Sequence, residues 1–110
     1  MTHATVMPAI LGLDLGDRTS HLCALDGERQ VLERGRFKTT PEGLRQAFAD
    51  RRRTPVVVEA GSQSPWIAAM LRELGYRVQV ADPRRVALIA RGHRKTDRRD
   101  AEVLARLGLG

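Results

Sequence analysis

Apolar and polar positions along the chain alternate between two periods. ILGLDL (10–15), HLCALD (21–26) and QVLERGRF (30–37) read as three successive strands, and Asp26-Gly27 reads as a hairpin turn between the second and third. TTPEGLRQAFADRRR switches to a helical period: Thr40 stands as N-cap, Pro41 takes the first helical position, and Leu44, Ala47 and Phe48 share a face. PVVVEA (55–60) is a short continuous apolar run, as expected of a strand buried on both faces of a parallel sheet. SPWIAAMLRELG repeats the helix grammar, with Ser64 as cap, Pro65 after it, a stripe including Trp66, Met70 and Leu74, and Gly75 as terminator. YRVQVA (76–81) is a fifth strand. A short helix follows Asp82-Pro83 and a last one follows Thr96. The order βββαβαβαα predicts an α/β fold in which a mixed sheet is flanked by helices and strand 55–60 lies parallel to strand 10–15. Residues 1–8 read as a disordered tail and residues 9–110 as one domain.

Four acids interrupt this pattern. Asp14 lies within the apolar first strand, where a lone ionised carboxylate costs several kcal/mol or more unless something pairs with it. Glu59 ends the VVV run, just before Ala60-Gly61. In parallel neighbouring strands both acids reach the crevice at the strand ends, where open α/β sheets bind ligands. Asp97 and Asp100 belong to KTDRRDAEVLARLG. Acids in a first helical turn favour the helix dipole, and Thr96 is a suitable cap. Positions 97, 100, 104 and 107 also form one helical stripe, so the two acids extend the face of Leu104 and Leu107, while Arg98, Arg99, Glu102 and Arg106 take the exposed sides. Crowded carboxylates cannot all stay ionised without a cation. An all-oxygen donor set suits Mg²⁺ or Mn²⁺, and two such ions about 4 Å apart can activate a nucleophile and stabilise a leaving oxygen in phosphodiester cleavage.

Charge then points to the substrate. The 110 residues carry a net +6, and 17 of the 19 basic residues are arginine, which GC-rich coding alone could also produce. The excess is concentrated: Arg84, Arg85, Arg91, Arg94, Lys95, Arg98 and Arg99 face only Asp97 and Asp100 within residues 84–100. That stretch is the expected nucleic-acid contact. Few aromatics are present (Trp66, Tyr76, Phe37, Phe48), which gives little support to stacking on unpaired bases. One cysteine, Cys23, excludes an internal disulfide and a thiolate metal cluster and reads as core. His3, His21 and His93 have no metal-ligand spacing, Trp66 reads as packing, and Arg51-Arg52-Arg53 as a helix C-terminal cluster. MTHATVMPA lacks the layout of a secretory signal, and no run approaches the roughly 18 apolar residues of a membrane span, so the chain reads as soluble and cytoplasmic.

GLDLGDRTSHLCALDG followed by VVVEAGSQSPWIAAMLRELGYRVQVADPRRVALIARGHRKTDRRDAEVLARL resembles the N-terminal DEDD domain of insertion-sequence transposases, in the family numbered one hundred and ten, related to Piv-type DNA invertases. EAGSQSPW, ADPRRV and KTDRRDAEVLARL, in this order, are its most specific parts. The resemblance implies a RuvC-like, RNase H-type fold, the four acids of the family at Asp14, Glu59, Asp97 and Asp100, Mg²⁺ or Mn²⁺ as cofactor, and DNA strand cleavage and exchange during transposition of a mobile element. It also implies DNA as partner, a structured guide RNA in some members, homo-oligomers of the full-length parent, and a C-terminal domain with a nucleophilic serine. Ser20, Ser62 and Ser64 do not match that serine, and the chain stops soon after the DEDD helix, in mid-pattern at LARLGLG. The domain therefore reads as truncated, and on its own it is not expected to recombine DNA.

Two other readings stand beside it. The first motif is also similar to the phosphate-binding hairpin of actin-like kinases and to YqgF-type junction resolvases, but a second Gly-rich phosphate loop and an adenosine site are not visible, and KTDRRD has no role in an actin-like scheme. A non-catalytic nucleic-acid-binding remnant would keep the acids for its fold and the arginines for phosphate, and its affinity would fall with salt and ignore Mg²⁺.

Overall fold

In the computed structural model, which describes residues 7–90 and 97–110 and the side chains of 7–88 and 100–110, the chain runs βββαβαβαα as expected. The elements are β1 (Ile10–Asp14), β2 (Thr19–Leu25), β3 (Val31–Lys38), α1 (Pro41–Phe48), β4 (Val56–Glu59), α2 (Ser64–Glu73), β5 (Val78–Ala81), α3 (Pro83–Ala90) and α4 (Asp97–Leu109). One sheet contains all five strands in the order β3-β2-β1-β4-β5. The first three form an antiparallel meander, and β4 and β5 add in parallel to β1.

Period-two alternation sorts the side chains to two faces. Leu11, Leu13, Leu22, Ala24, Phe37, Val56 and Val58 join Leu44 and Phe48 of α1 and Ile67 and Leu71 of α2 in one core. Ile10, Cys23, Leu25, Val57 and Ala81 join Val86 of α3 and Ala101, Leu104 and Ala105 of α4 in the other. Both faces of β1 and β4 are thus covered, which is why their sequences are nearly continuous apolar runs. Each fully buried Leu, Val or Phe contributes about 1.5–3 kcal/mol.

Helix ends follow local chemistry with one exception. Thr40 accepts a 3.0 Å bond from the Gly43 amide and Pro41 opens α1. Asp82 accepts from the Arg84 amide at 2.9 Å, starting α3, and Gly75 takes φ +96° after α2. Ser64 is not the cap of α2. Gln63 holds the cap position, and the buried Ser64 hydroxyl instead donates to the Gly61 carbonyl and accepts from the Gly61 amide. The β2–β3 connection is also longer than a two-residue hairpin. Asp26 Oδ1 accepts from the Glu28 and Gln30 amides, and the left-handed residue is Arg29 (φ 65°) rather than Gly27. An aspartate that bonds two forward amides stabilises a wider loop than a tight type I′ turn would require.

Helix α4 lies directly on the sheet. A Cβ on Gly12 would fall 2.0 Å from the Ala101 carbonyl oxygen and 2.5 Å from the Ala105 nitrogen, and one on Gly108 would fall 2.4 Å from Val57 Cγ2. The C-terminal part of α4 therefore rests on the starts of β1 and β4. Its N-terminal turn reaches the ends of the same strands.

Candidate active site

That packing determines which acids meet. Gly12 and Val57 are register partners on the α4 face, as Leu13 and Val58 are on the opposite one. One residue further on, Asp14 and Glu59 stand side by side on the α4 face, at the carboxyl ends of adjacent parallel strands. Asp14 is the last residue of β1 and half-buried, not an acid sunk within the strand. Glu59 is likewise half-buried. Asp100 precedes Ala101, the residue that seats on Gly12, so its helix turn is carried to the same strand ends.

The electrostatics of Glu59 report this grouping. Burial raises its carboxyl above the ordinary range, and the charges of Asp14 and Asp100 raise it further. Acids from two other elements therefore act on Glu59, although Asp100 lies 41 positions further along the chain. Among the described residues, no group of three His, Cys, Asp or Glu side chains is drawn tightly enough to hold one metal ion. Asp97 is the first residue of α4, and its side chain lies outside the described ones.

Two expectations about α4 need correction. Asp100 is exposed rather than part of the buried face, because the buried stripe is centred on Ala101, Leu104 and Ala105 and leaves position 100 at its edge. Glu102 and Arg106 are half-buried, not solvated. Glu102 accepts from Arg34 of β3 at 2.6 Å and from Arg106 at 2.7 Å. Burial pushes the Glu102 carboxyl up, but the bonds from the two guanidinium groups outweigh this and hold it below its ordinary value. The Cys23 thiol beneath this group is raised, chiefly by burial, consistent with a packing role.

The basic stretch is described only in part. Arg84 and Arg85 are exposed in the first turn of α3, which begins two residues beyond Ala81, the register partner of Glu59. They stand at the same end of the sheet as the acids. Arg91, Arg94 and Lys95, together with His93 and Thr96, lie outside the described residues, as do the side chains of Arg98 and Arg99. Arg51 and Arg53 are structural. Arg51 makes a bidentate pair with Glu33 at 2.7 and 3.0 Å, and Arg53 covers the Tyr76 ring and donates to the Leu74 carbonyl.

Spacing along the chain passes over one residue. His21 is the β2 register partner of Asp14, so it shares the α4 face beside the acid, and Arg36 of β3 is the partner of His21. Counting back from the β2–β3 connection pairs His21 with Arg36 only when both the loop length and the register shift at Ala24/Leu25 are known, and the Asp26-Gly27 pattern shows neither.

A five-stranded mixed sheet with helices on both faces and acids at the ends of its central parallel pair is the RNase H-like architecture in its RuvC-like form. Among solved structures, Thermus thermophilus RuvC is similar over 91% of this chain and 96% of its own, with a TM-score of 0.58 at 17% identity. A ROK family protein from Streptococcus pneumoniae TIGR4, in complex with sucrose, is similar over 74% of this chain and 37% of its own, with a TM-score of 0.55 at 12% identity. At these identities the likeness is one of fold. No curated protein matches the chain. The chain belongs to the IS110-type DEDD transposase family, whose family model, described as a transposase, matches residues 11–110.

Proposed function

We propose that this chain is the catalytic domain of a DNA transposase, in which Asp14, Glu59, Asp97 and Asp100 hold divalent metal for DNA strand cleavage and exchange. The observation that carries the reading is the juxtaposition of Asp14 and Glu59 at the ends of adjacent parallel strands, with α4 bringing a third acid into electrostatic range. A carboxylate-only donor set fits Mg²⁺ or Mn²⁺, hard cations that prefer oxygen. When bound, such ions would supply activation of the attacking oxygen and stabilisation of the leaving one.

The chain's own residues supply the rest. Asp14 and Glu59 are fixed by the sheet register, so their spacing does not depend on a loop. The charge repulsion that raises Glu59 favours the arrival of a cation, which relieves it. Exposed Arg84 and Arg85 would draw the phosphate backbone toward this end of the sheet. The family membership favours DNA over other anions. An actin-like reading of the first motif, as a phosphate-binding hairpin, leaves the acids of α4 without a use.

Mn²⁺ titration followed by electron paramagnetic resonance tests this reading. The wild-type chain should take up Mn²⁺, and Asp14→Asn and Asp97→Asn should each weaken uptake about 10–100-fold or more. Uptake that survives Asp14→Asn would sink the four-acid assignment, and the chain would then be a nucleic-acid-binding module.

A further inference from the structure

We infer that the open face of β2 and β3 is a second phosphate-binding track, on which a DNA strand rests as it approaches the acids, with Arg36 and Lys38 as its anion contacts. The inference rests on the DNA-cleaving reading above and extends it to a surface outside the 84–100 stretch.

Register defines the track. Arg34, Arg36 and Lys38 are partners of Cys23, His21 and Thr19, and Cys23 lies in the core beneath α4, so all three basic residues project on the α4 face. Their fates differ. Arg34 is drawn to Glu102 on the flank of α4. Arg36 and Lys38 lie beyond that ion pair and are exposed, and among the described residues neither side chain has a hydrogen bond or ion-pair partner. Arg51, by contrast, is neutralised by Glu33, and Arg106 shares Glu102 with Arg34. Two uncompensated cations therefore stand on the edge strand, and the row from Arg36 through His21 ends at Asp14.

Shape agrees with charge. A hollow of about 300 Å³ lies over the ladder, lined by His21, Leu22, Arg34, Gly35 and Arg36. A second, of about 460 Å³, opens on the α1 side of the same edge, where Arg36 and Lys38 meet Phe37, Glu42, Gly43 and Ala47, so it borders the track without belonging to the α4 face. Arg36 borders both. Alternate residues on a strand are about 6.8 Å apart, which is comparable to the separation of successive phosphates along a nucleic-acid strand. Arg36 and Lys38 can thus each meet one phosphate of a strand that runs along β3. From Arg36 the cross-strand row through His21 reaches Asp14, so a strand that lies along β3 turns at Arg36 to approach the acids.

Fluorescence anisotropy with a labelled DNA duplex, its single strand and an RNA of the same sequence, each titrated over a salt series with Ca²⁺ present, tests the track. Arg36→Ala/Lys38→Ala should weaken DNA binding about tenfold or more at low salt and reduce the slope of log K against log salt by about 1.4–1.8, two phosphates' worth. A charge-matched control, Arg45→Ala/Arg77→Ala, removes two exposed arginines elsewhere and should change the slope by less than half as much. Mn²⁺ uptake by the Arg36/Lys38 variant should equal that of the wild type, which separates this inference from the metal assignment. Unchanged affinity and slope in the variant, an equal effect in the control, or no DNA binding by the wild type would each overturn the track. Dependence on the two residues for RNA but not for DNA would overturn the choice of DNA.

Discussion

Glu59 ends an apolar strand with a half-buried carboxyl beside Asp14 and within range of Asp100, and its proton affinity is raised by burial first and by the two acids second. A carboxyl whose folded value lies above its unfolded one binds more protons folded than unfolded in the interval between them. Stability therefore falls as pH rises from about 4.5 through the raised value, and the penalty is complete above it. Glu59→Gln removes that penalty. In metal-free buffer at pH 7 the variant should melt about 2–4 °C above the wild type, as expected when partly screened like charges cost about 0.5 kcal/mol. Below pH 4 the two curves should coincide. A variant that melts lower at pH 7, by calorimetry, would mean that Glu59 is held by a favourable contact.

At the scale of elements, α4 is the part that carries a third acid into range of Glu59. It lies on β1 so closely that Gly12 has no room for a side chain, and the contact is with the backbone of α4, which cannot rotate away. Gly12→Ala should cost about 1–3 kcal/mol or more, measured as a shift in the urea midpoint at unchanged m-value. If α4 is pushed off β1, Asp100 leaves the range of Glu59, so the variant should also lose metal uptake. Retained stability would show that the helix can slide without cost. The Arg34–Glu102–Arg106 group secures the other flank of the same helix, and two of its members, Glu102 and Arg106, are ones that sequence alone assigns to solvent.

For the whole molecule, the two charge populations have opposite tasks. A net +6 favours association with polyanions, while the acids gather at one end of the sheet, close to Arg84 and Arg85. A divalent ion that binds the folded chain and not the unfolded one raises stability by mass action, about 2.7 kcal/mol at a hundredfold excess over Kd. Mn²⁺ should therefore raise Tm in a concentration-dependent way, Mg²⁺ should do the same at higher concentration, and Asp14→Asn should abolish both shifts. Equal shifts in wild type and variant, read by differential scanning fluorimetry, would assign the ion to another place. Among the described residues no helix is long and apolar enough to cross a membrane.

Periodicity alone placed every element in order, because strands covered on both faces, such as VVV, and capped helices, such as Thr40-Pro41, leave unambiguous local patterns. It also drew attention to Asp14 and Glu59, since a charge at an apolar strand has no local cause, and to the KTDRRD acids, for which the helix dipole offered a local cause as well. Element ends were less legible: Asp26-Gly27 looks like a tight turn, but its aspartate stabilises a five-residue loop, and Ser64 looks like a cap but bonds back to Gly61. Tertiary structure decided what register and packing depth decide. It paired Asp14 with His21 and His21 with Arg36, left Asp100 exposed at the edge of a buried stripe, gave Arg34 and Arg51 acidic partners, and left Arg36 and Lys38 open. The physical reason is that hydrophobic period is a property of single segments, whereas the neighbour of a charge depends on which strand lies beside it and how closely a helix can approach, here as near as a glycine allows.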